Sequence, residues 1–68
     1  MFVELKYRDL NGNKKTHIIN TEYIERIFDE REEHKLMIFL KDNPSTINCY
    51  YTTDDEYRID SFITKILK

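Results

Sequence analysis

The residues best suited to bind a metal ion in this chain are His17, His34 and Cys49. Zinc sites usually pair their ligands at short spacings such as Cys-x-x-Cys or His-x-x-x-His. These three residues lie far apart in the sequence and form no such pair. With one glycine, the chain also has no Gly-rich loop to cradle a phosphate group. We therefore expect no metal site and no cofactor.

Cys49 and His17 are also the residues from which a nucleophilic pair would be built. Cys49 alternates with Ile47 and Tyr51 on one face of a predicted strand. A thiol buried among apolar side chains is unreactive. The acidic residues 54–56 are accounted for by the start of a helix. The sequence therefore predicts a protein that is not an enzyme and has no catalytic residues.

Aromatic side chains point instead to recognition of another macromolecule. The chain has five tyrosines and four phenylalanines, and tyrosine favours interfaces because an apolar ring carries a polar tip. Tyr50 projects opposite to Cys49, onto a face that the predicted helix leaves uncovered. An acidic run at residues 29–33 resembles a phosphate backbone in charge. The predicted partner-binding residues are Phe2, Tyr23, Asn48, Tyr50, Glu30, Glu32 and Glu33. The alternative is that the rings only cover a small core.

The distribution of charge opens a second possibility, the binding of a single-stranded nucleic acid or a nucleotide. Residues 1–20 carry a net charge of +2, residues 21–33 carry −4, and the remainder is balanced. Tyrosines would stack on bases while lysines and arginines contact phosphates. The residues concerned are Lys6, Arg8, Lys14, Lys15, Tyr7 and Tyr50. The overall charge of −2 disfavours this function, because nucleic-acid-binding domains are usually basic.

The length of 68 residues predicts one domain, residues 1–68, with a thin margin of stability. A second copy of the chain would add to that margin, so we expect a homo-oligomer. One cysteine excludes an intramolecular disulfide, and no signal peptide is recognisable. The longest apolar run is Leu36–Leu40, whereas a membrane-spanning helix needs about 20 residues. We therefore expect a cytoplasmic protein without membrane insertion.

The last segment of the chain has the pattern of an amphipathic helix, predicted over residues 54–67. Thr53 and Glu56 have the spacing of a capping box. Lys65 and Lys68 complement the helix dipole at the other end. One stripe of the helix would carry Ile59, Phe62, Ile63, Ile66 and Leu67.

The segments before the helix predict five strands, over residues 2–9, 14–20, 23–29, 35–41 and 46–51. Alternation of apolar and polar residues is clearest in residues 2–9. Asn11-Gly12 predicts a type I′ hairpin turn between the first two strands. Residues 21–29 also fit a short helix, although we favour a turn followed by a strand. Residues 36–40 are apolar on both faces, as in a central strand covered on both sides or buried in an oligomer contact.

These elements predict an α+β fold, in which an antiparallel meander sheet of about five strands packs one face against a C-terminal amphipathic helix.

The order of these segments resembles that of the small flagellar FlbD/SwrD-like proteins. The resemblance is carried by short motifs: Leu10-Asn11-Gly12, Ile19-Asn20, Ile24-Glu25 with Ile27, Met37-Ile38 with Leu40, Ile47 with Tyr50, and the terminal amphipathic helix. Two segments depart from it, since Asn43-Pro44-Ser45 stands where that family commonly has Asn-Gly, and residues 31–34 look like an insertion. The resemblance implies a non-enzymatic accessory of the flagellar motor.

Taken together, these features predict a small interaction or regulatory protein that self-associates and binds a protein partner through its sheet face or the edge of its first strand. A protein encoded by a phage or mobile element that inhibits a host protein is one alternative. Ile, Lys, Asn, Tyr and Phe, which are frequent in AT-rich genomes, favour such an origin. The binding of a single-stranded nucleic acid or a nucleotide is the other alternative.

Overall fold

The computed structural model describes residues 1–67, which form five strands, three short 3-10 turns and one helix. The strands are β1 (Phe2–Arg8), β2 (Lys14–Asn20), β3 (Ile24–Glu30), β4 (Lys35–Leu40) and β5 (Thr46–Tyr50). The 3-10 turns are Thr21–Tyr23, Arg31–Glu33 and Thr53–Asp55, and the helix α1 is Glu56–Ile66. The predicted α+β class with a C-terminal amphipathic helix is confirmed. Lys68, expected at the end of the helix, lies outside the described residues.

The strands are divided between two antiparallel sheets instead of forming the single predicted sheet. One sheet pairs β1 with β2, and the other has the order β3-β4-β5. The division falls at Asn20, whose side chain accepts a hydrogen bond from the backbone N–H of Glu22 and so starts a 3-10 turn. The chain is extended again from Ile24, so the second half of the ambiguous passage is a strand.

The turn between β1 and β2 differs from the predicted type I′ turn. Such a turn needs a positive φ at two central residues, but Gly12 has φ +82° while Asn11 does not have a positive φ. Asp9 organises the turn instead, because its Oδ1 atom accepts hydrogen bonds from the N–H groups of Asn11 and Asn13. Gly12 therefore supplies the one left-handed position that this turn needs.

The hydrophobic core lies between the two sheets and is closed by the helix. Alternation along each strand places one side of each sheet inward. The buried residues are Val3, Leu5, Tyr7 and Ile19 from the first sheet, Leu36, Ile38 and Cys49 from the second, and Tyr51, Ile59 and Phe62 from the following segments. Ile63 and Ile66 are half-buried against this core. Leu67, the last residue of the predicted stripe, is 79% exposed because it lies beyond the helix.

The predicted capping box is not formed at the start of α1. The N-cap position is occupied by Asp55, and its side chain makes no capping hydrogen bond. The Asp55 carboxylate instead accepts a hydrogen bond from the backbone N–H of Arg8 on β1. The Glu56 carboxylate contacts Arg31 and is likewise turned away from the helix terminus. Contacts with both sheets therefore replace the local cap at Thr53.

Arg31 links the three-stranded sheet to the helix. Its guanidinium donates hydrogen bonds to Asp29 at 2.6 Å, Glu56 at 3.1 Å and Asp60 at 2.5 Å. The guanidinium also lies 5.7 Å from the centre of the Tyr51 ring, and the Tyr51 hydroxyl donates to Asp29 at 2.8 Å. Arg31, in the segment that looks like an insertion, thus forms a structural contact between β3, Tyr51 after β5 and α1.

We expect Arg31→Ala to lower the free energy of unfolding by about 1–3 kcal/mol, because it leaves the partly buried Asp29 carboxylate without its cation. Arg31→Lys should restore only part of this loss, since an ammonium cannot contact three carboxylates in the geometry of a guanidinium. Urea unfolding followed by circular dichroism at one fixed protein concentration measures both effects.

The matched control is Lys41→Ala, which removes an exposed cation from the turn after β4. This control should change the free energy of unfolding by less than about 0.5 kcal/mol. Equal losses in the Arg31 and Lys41 variants would contradict the assignment of Arg31 as a structural link.

Candidate interaction surfaces

The outward side of the three-stranded sheet carries nine side chains in three cross-strand rows. Residues directly opposite one another in antiparallel strands share a face. The rows are Arg26, Phe39 and Thr46; Phe28, Met37 and Asn48; and Glu30, Lys35 and Tyr50. We call these nine residues the outer sheet face.

Apolar side chains on the outer sheet face reach solvent. Phe28 is 52% exposed and Tyr50 is 44% exposed. On the central strand, Met37 lies directly beside Phe28 and Phe39 lies in the next row, and both are half-buried. On the opposite side of β4, Leu36 and Ile38 are fully buried. Strand β4 is therefore apolar on both sides, as predicted, but only its inner side faces the core.

Charged groups accompany these rings. The Arg26 guanidinium lies 4.2 Å from the centre of the Phe39 ring, and the Lys35 ammonium lies 5.6 Å from that of Tyr50. Both distances are within the range of cation–π attraction. Glu30 is in the same row as Lys35 and carries the one negative charge of the face. The outer sheet face thus combines an apolar centre with charges of both signs.

A second surface feature is a cleft of about 320 Å³ that is lined by cations. Lys6 and Arg8 come from β1, Lys14 and Lys15 from β2, and Arg58 from α1. Tyr7 and Thr16 complete the lining. We call these seven residues the basic cleft. The four cations predicted from the sequence for phosphate contacts are therefore brought together, with a fifth from the helix.

Three of the five cations in the basic cleft have a carboxylate nearby. Lys6 is 3.5 Å from Glu4, Lys15 is 4.0 Å from Asp9, and Arg58 is 3.5 Å from Asp55. Within residues 1–67, the side chains of Arg8 and Lys14 have no carboxylate within 4.0 Å. The cleft therefore has an excess of positive charge.

The two tyrosines expected to stack on bases do not join this cleft as stacking platforms. Tyr7 is only 6% exposed, and its hydroxyl lies 3.3 Å from Nε2 of His17. Burial and the proximity of Cys49 raise the pKa of the Tyr7 hydroxyl. Tyr50 lies on the other sheet, in the outer sheet face. The expectation that Tyr7 stacks on a base is therefore wrong, because its ring is part of the core.

Cys49 is fully buried in β5, and burial raises the pKa of its thiol. A thiol in this environment is protonated and inaccessible, so it is a poor nucleophile. His17 lies on β2, and its ring stacks on that of Tyr7 at 5.8 Å between centroids. Tyr7 thus contacts both the imidazole and the Cys49 thiol.

The three candidate metal ligands occupy different parts of the fold. His34 lies in the turn before β4, where its ring is 5.7 Å from that of Tyr51 and its Nε2 is 3.6 Å from Glu56. His17 is on β2 and Cys49 is inside β5. In the part of the chain that the structure describes, no three His, Cys, Asp or Glu side chains are grouped to hold a metal ion.

The predicted partner-binding residues do not form one surface. Glu30, Asn48 and Tyr50 belong to the outer sheet face. Phe2 is exposed on β1 of the other sheet, and Tyr23 is exposed in the 3-10 turn before β3. Glu32 and Glu33 are exposed in the turn that follows β3. The acidic run is interrupted, because Arg31 contacts Asp29 and also Asp60 of the helix.

Sequence reasoning missed Phe28, Met37 and Phe39 on the outer sheet face and Arg58 in the basic cleft. Alternation places Phe28 outward once Ile27 is assigned to the core, so the signal for this residue was present. Which rings become neighbours depends on the pairing of β3, β4 and β5. Arg58 meets β1 only through tertiary packing of the helix, and no local pattern indicates such a contact.

No protein-family model matches the chain, no curated protein matches its sequence, and no solved structure matches its fold. The resemblance to FlbD/SwrD-like proteins therefore stays a prediction. Within residues 1–67, the helix falls short of the length and apolar composition that crossing a membrane requires.

We expect the pKa of His17 to lie below 6.5. Burial disfavours the imidazolium, and the charge of Lys15 adds to the effect. Because the unfolded chain then binds more protons than the folded one below pH 6.5, stability is complete above that pH and falls as the pH drops towards the folded-state pKa. A proton NMR titration of the imidazole signals measures the pKa directly, and His17→Gln distinguishes His17 from His34.

The same variant provides the thermodynamic check. The unperturbed pKa of histidine is about 6.5, so the comparison is made at pH 8 and pH 5. When the pH is lowered from about 8 to about 5, the free energy of unfolding should fall more for the unmodified chain than for His17→Gln. A His17 pKa at or above 6.5 would contradict the expected effect of burial.

Proposed function

We propose that this chain is a small non-enzymatic interaction protein that self-associates through its outer sheet face. The observation that carries the proposal is the exposed apolar centre of that face, where Phe28 and Tyr50 on the two outer strands accompany Met37 and Phe39 on the central strand. Contiguous apolar patches on a small soluble domain usually mark sites of protein interaction. Aromatic residues, methionine and arginine are the residue types enriched in such contacts.

The arrangement of charges favours a second copy of the chain as the occupant. In a dimer with a two-fold axis, a residue that contacts a second residue of the other copy is contacted by it in return, and residues on the axis contact their own counterparts. If this axis lies between the faces and runs across the strands, the central row meets itself, so Phe28 packs on Phe28 of the second copy. The row of Arg26 then meets the row of Glu30, which pairs opposite charges. Phe39 meets Lys35 in the same way, a cation–π contact.

A two-fold axis parallel to the strands gives a poorer match. It would place β3 over β5 of the second copy, so that Phe28 meets Asn48 and Arg26 meets Thr46. Glu30 would then face Tyr50 without a cation. Buried charges need partners, so the axis across the strands is the one that the residues support.

The size of the face sets the expected affinity. Stable protein interfaces usually involve about 20–30 residues from each partner, whereas the outer sheet face has nine. We therefore expect a dissociation constant in the micromolar range, at about 1–100 μM. The fraction of dimer should therefore increase as the concentration of the chain is raised from the micromolar to the millimolar range.

The first test is light scattering coupled to size-exclusion chromatography over loading concentrations from about 10 μM to 1 mM. The mass should rise with concentration from 8.4 kDa towards twice that value. Met37→Asp should keep the chain monomeric, because it places an unpaired charge at the centre of the contact. The control is Ile18→Asp, which changes an equally apolar side chain that is 67% exposed on the other sheet. A monomeric mass throughout would overturn the proposal, as would equal effects of the two variants.

An exchange of charges tests the symmetry of the dimer. Arg26→Glu and Glu30→Arg should each weaken the dimer by roughly tenfold, since each single change places like charges opposite one another. The double variant restores both opposite-charge pairs and should recover most of the affinity. Weakening by each change with no recovery in the double variant would exclude the axis across the strands.

A further inference from the structure

We propose that the basic cleft binds a small ligand that carries two or three linked phosphate groups. The site is built from three elements that are distant in sequence: β1 supplies Lys6 and Arg8, β2 supplies Lys14 and Lys15, and α1 supplies Arg58. Tertiary packing, and not a local run of basic residues, therefore creates the concentration of positive charge.

The register of β1 and β2 places two cations directly opposite each other. Arg8 pairs with Lys14, next to the pair in which the Asp9 N–H donates to the Asn13 carbonyl. Arg8 and Lys14 are consequently a non-hydrogen-bonded pair, the type in which side chains are closest. Like charges in this position destabilise a sheet. A bound anion would relieve that repulsion.

The carboxylates around the cleft neutralise only part of its positive charge, so an anion can still bind. Lys6 and Lys15 make ion pairs that are partly exposed and 3.5 and 4.0 Å long, and pairs of this kind contribute about 0–1 kcal/mol each. Asp55 is buried and already accepts a hydrogen bond from the backbone N–H of Arg8. The cleft has five cations, and the three carboxylates near them are those of Glu4, Asp9 and Asp55. Its net charge is therefore +2, which favours a ligand with several negative charges.

The size and lining of the cleft define the class of ligand. A volume of about 320 Å³ is at the lower limit of small-molecule sites. Tyr7 in the lining is buried and its hydroxyl contacts His17, so the cleft offers no exposed ring on which a base could stack. One arginine guanidinium can donate two parallel hydrogen bonds to two oxygens of a phosphate group, and each lysine adds a point charge. The recognised group is therefore a polyphosphate, either inorganic or the phosphate tail of a nucleotide.

The experiment is a calorimetric titration with inorganic tripolyphosphate, repeated with ATP and with single phosphate. Tripolyphosphate should bind more tightly than single phosphate by about tenfold or more, because it contacts several cations at once. Equal affinity for ATP and tripolyphosphate would show that the phosphate chain is recognised without the nucleoside. Tighter binding of ATP would show that the natural ligand includes the nucleoside.

Variants locate the site. Lys14→Gln and Arg58→Gln should each weaken the binding of tripolyphosphate by about fivefold or more, since each removes a charged hydrogen-bond donor. Lys41→Gln removes the same charge from an exposed turn outside the cleft and should change the affinity by less than about twofold. Circular dichroism of each variant confirms that the fold is intact, and backbone amide NMR shifts should concentrate on β1, β2 and the start of α1.

Three results would overturn the proposal: no binding of tripolyphosphate at millimolar concentration, equal weakening by Lys41→Gln and Lys14→Gln, or tighter binding of a single-stranded oligonucleotide than of tripolyphosphate. The last result would assign the cleft to a nucleic-acid backbone. The proposal is independent of self-association, because the basic cleft and the outer sheet face are on different sheets. Met37→Asp should therefore leave the affinity for tripolyphosphate unchanged.

Discussion

The fold depends on the compensation of one carboxylate that faces the core. Asp29 is paired with Leu36, so its side chain lies on the inner side of the three-stranded sheet, where a charge is costly without partners. The Tyr51 hydroxyl and the Arg31 guanidinium supply these partners. Because the same guanidinium also contacts Glu56 and Asp60, compensation of Asp29 fixes the start of the helix against the sheet. The partners of a partly buried carboxylate thus help to determine where the helix is attached.

A second carboxylate attaches the same helical end to the other sheet. The Asp55 side chain accepts a hydrogen bond from the Arg8 N–H, on the edge of β1 that does not pair with β2. Consecutive residues at the start of α1 therefore contact both sheets, and the helix lies over the inner sides that form the core. This placement leaves the outward side of β3, β4 and β5 in solvent. The exposed rings of Phe28 and Tyr50 are a consequence of which side the helix covers.

Patterns within single elements predicted most of the fold. Alternation identified the inner sides of β1 and β5, and the 3.6-residue period identified Ile59 and Phe62 as core residues. The errors occur where tertiary contacts compete with local ones. Glu56 has the spacing of a capping residue, but Arg31 provides a stronger, charged partner. In the first hairpin, the Asp9 side chain binds two N–H groups of the turn and so selects a different turn from the one that Asn11-Gly12 favours. The candidate sites were harder to predict, because Arg58 reaches the cleft only after the helix has packed.

The division into two sheets gives the protein two surfaces that point in different directions. The core lies between the sheets, so the outward sides of β1-β2 and of β3-β4-β5 face away from each other. Lys6, Arg8 and Lys14 are on the outward side of the first sheet, whereas Met37 lies at the centre of the outward side of the second. A dimer joined through the second sheet would therefore carry one basic cleft at each end, accessible to solvent. Self-association and anion binding would therefore use different surfaces of the chain, so that neither would block the other.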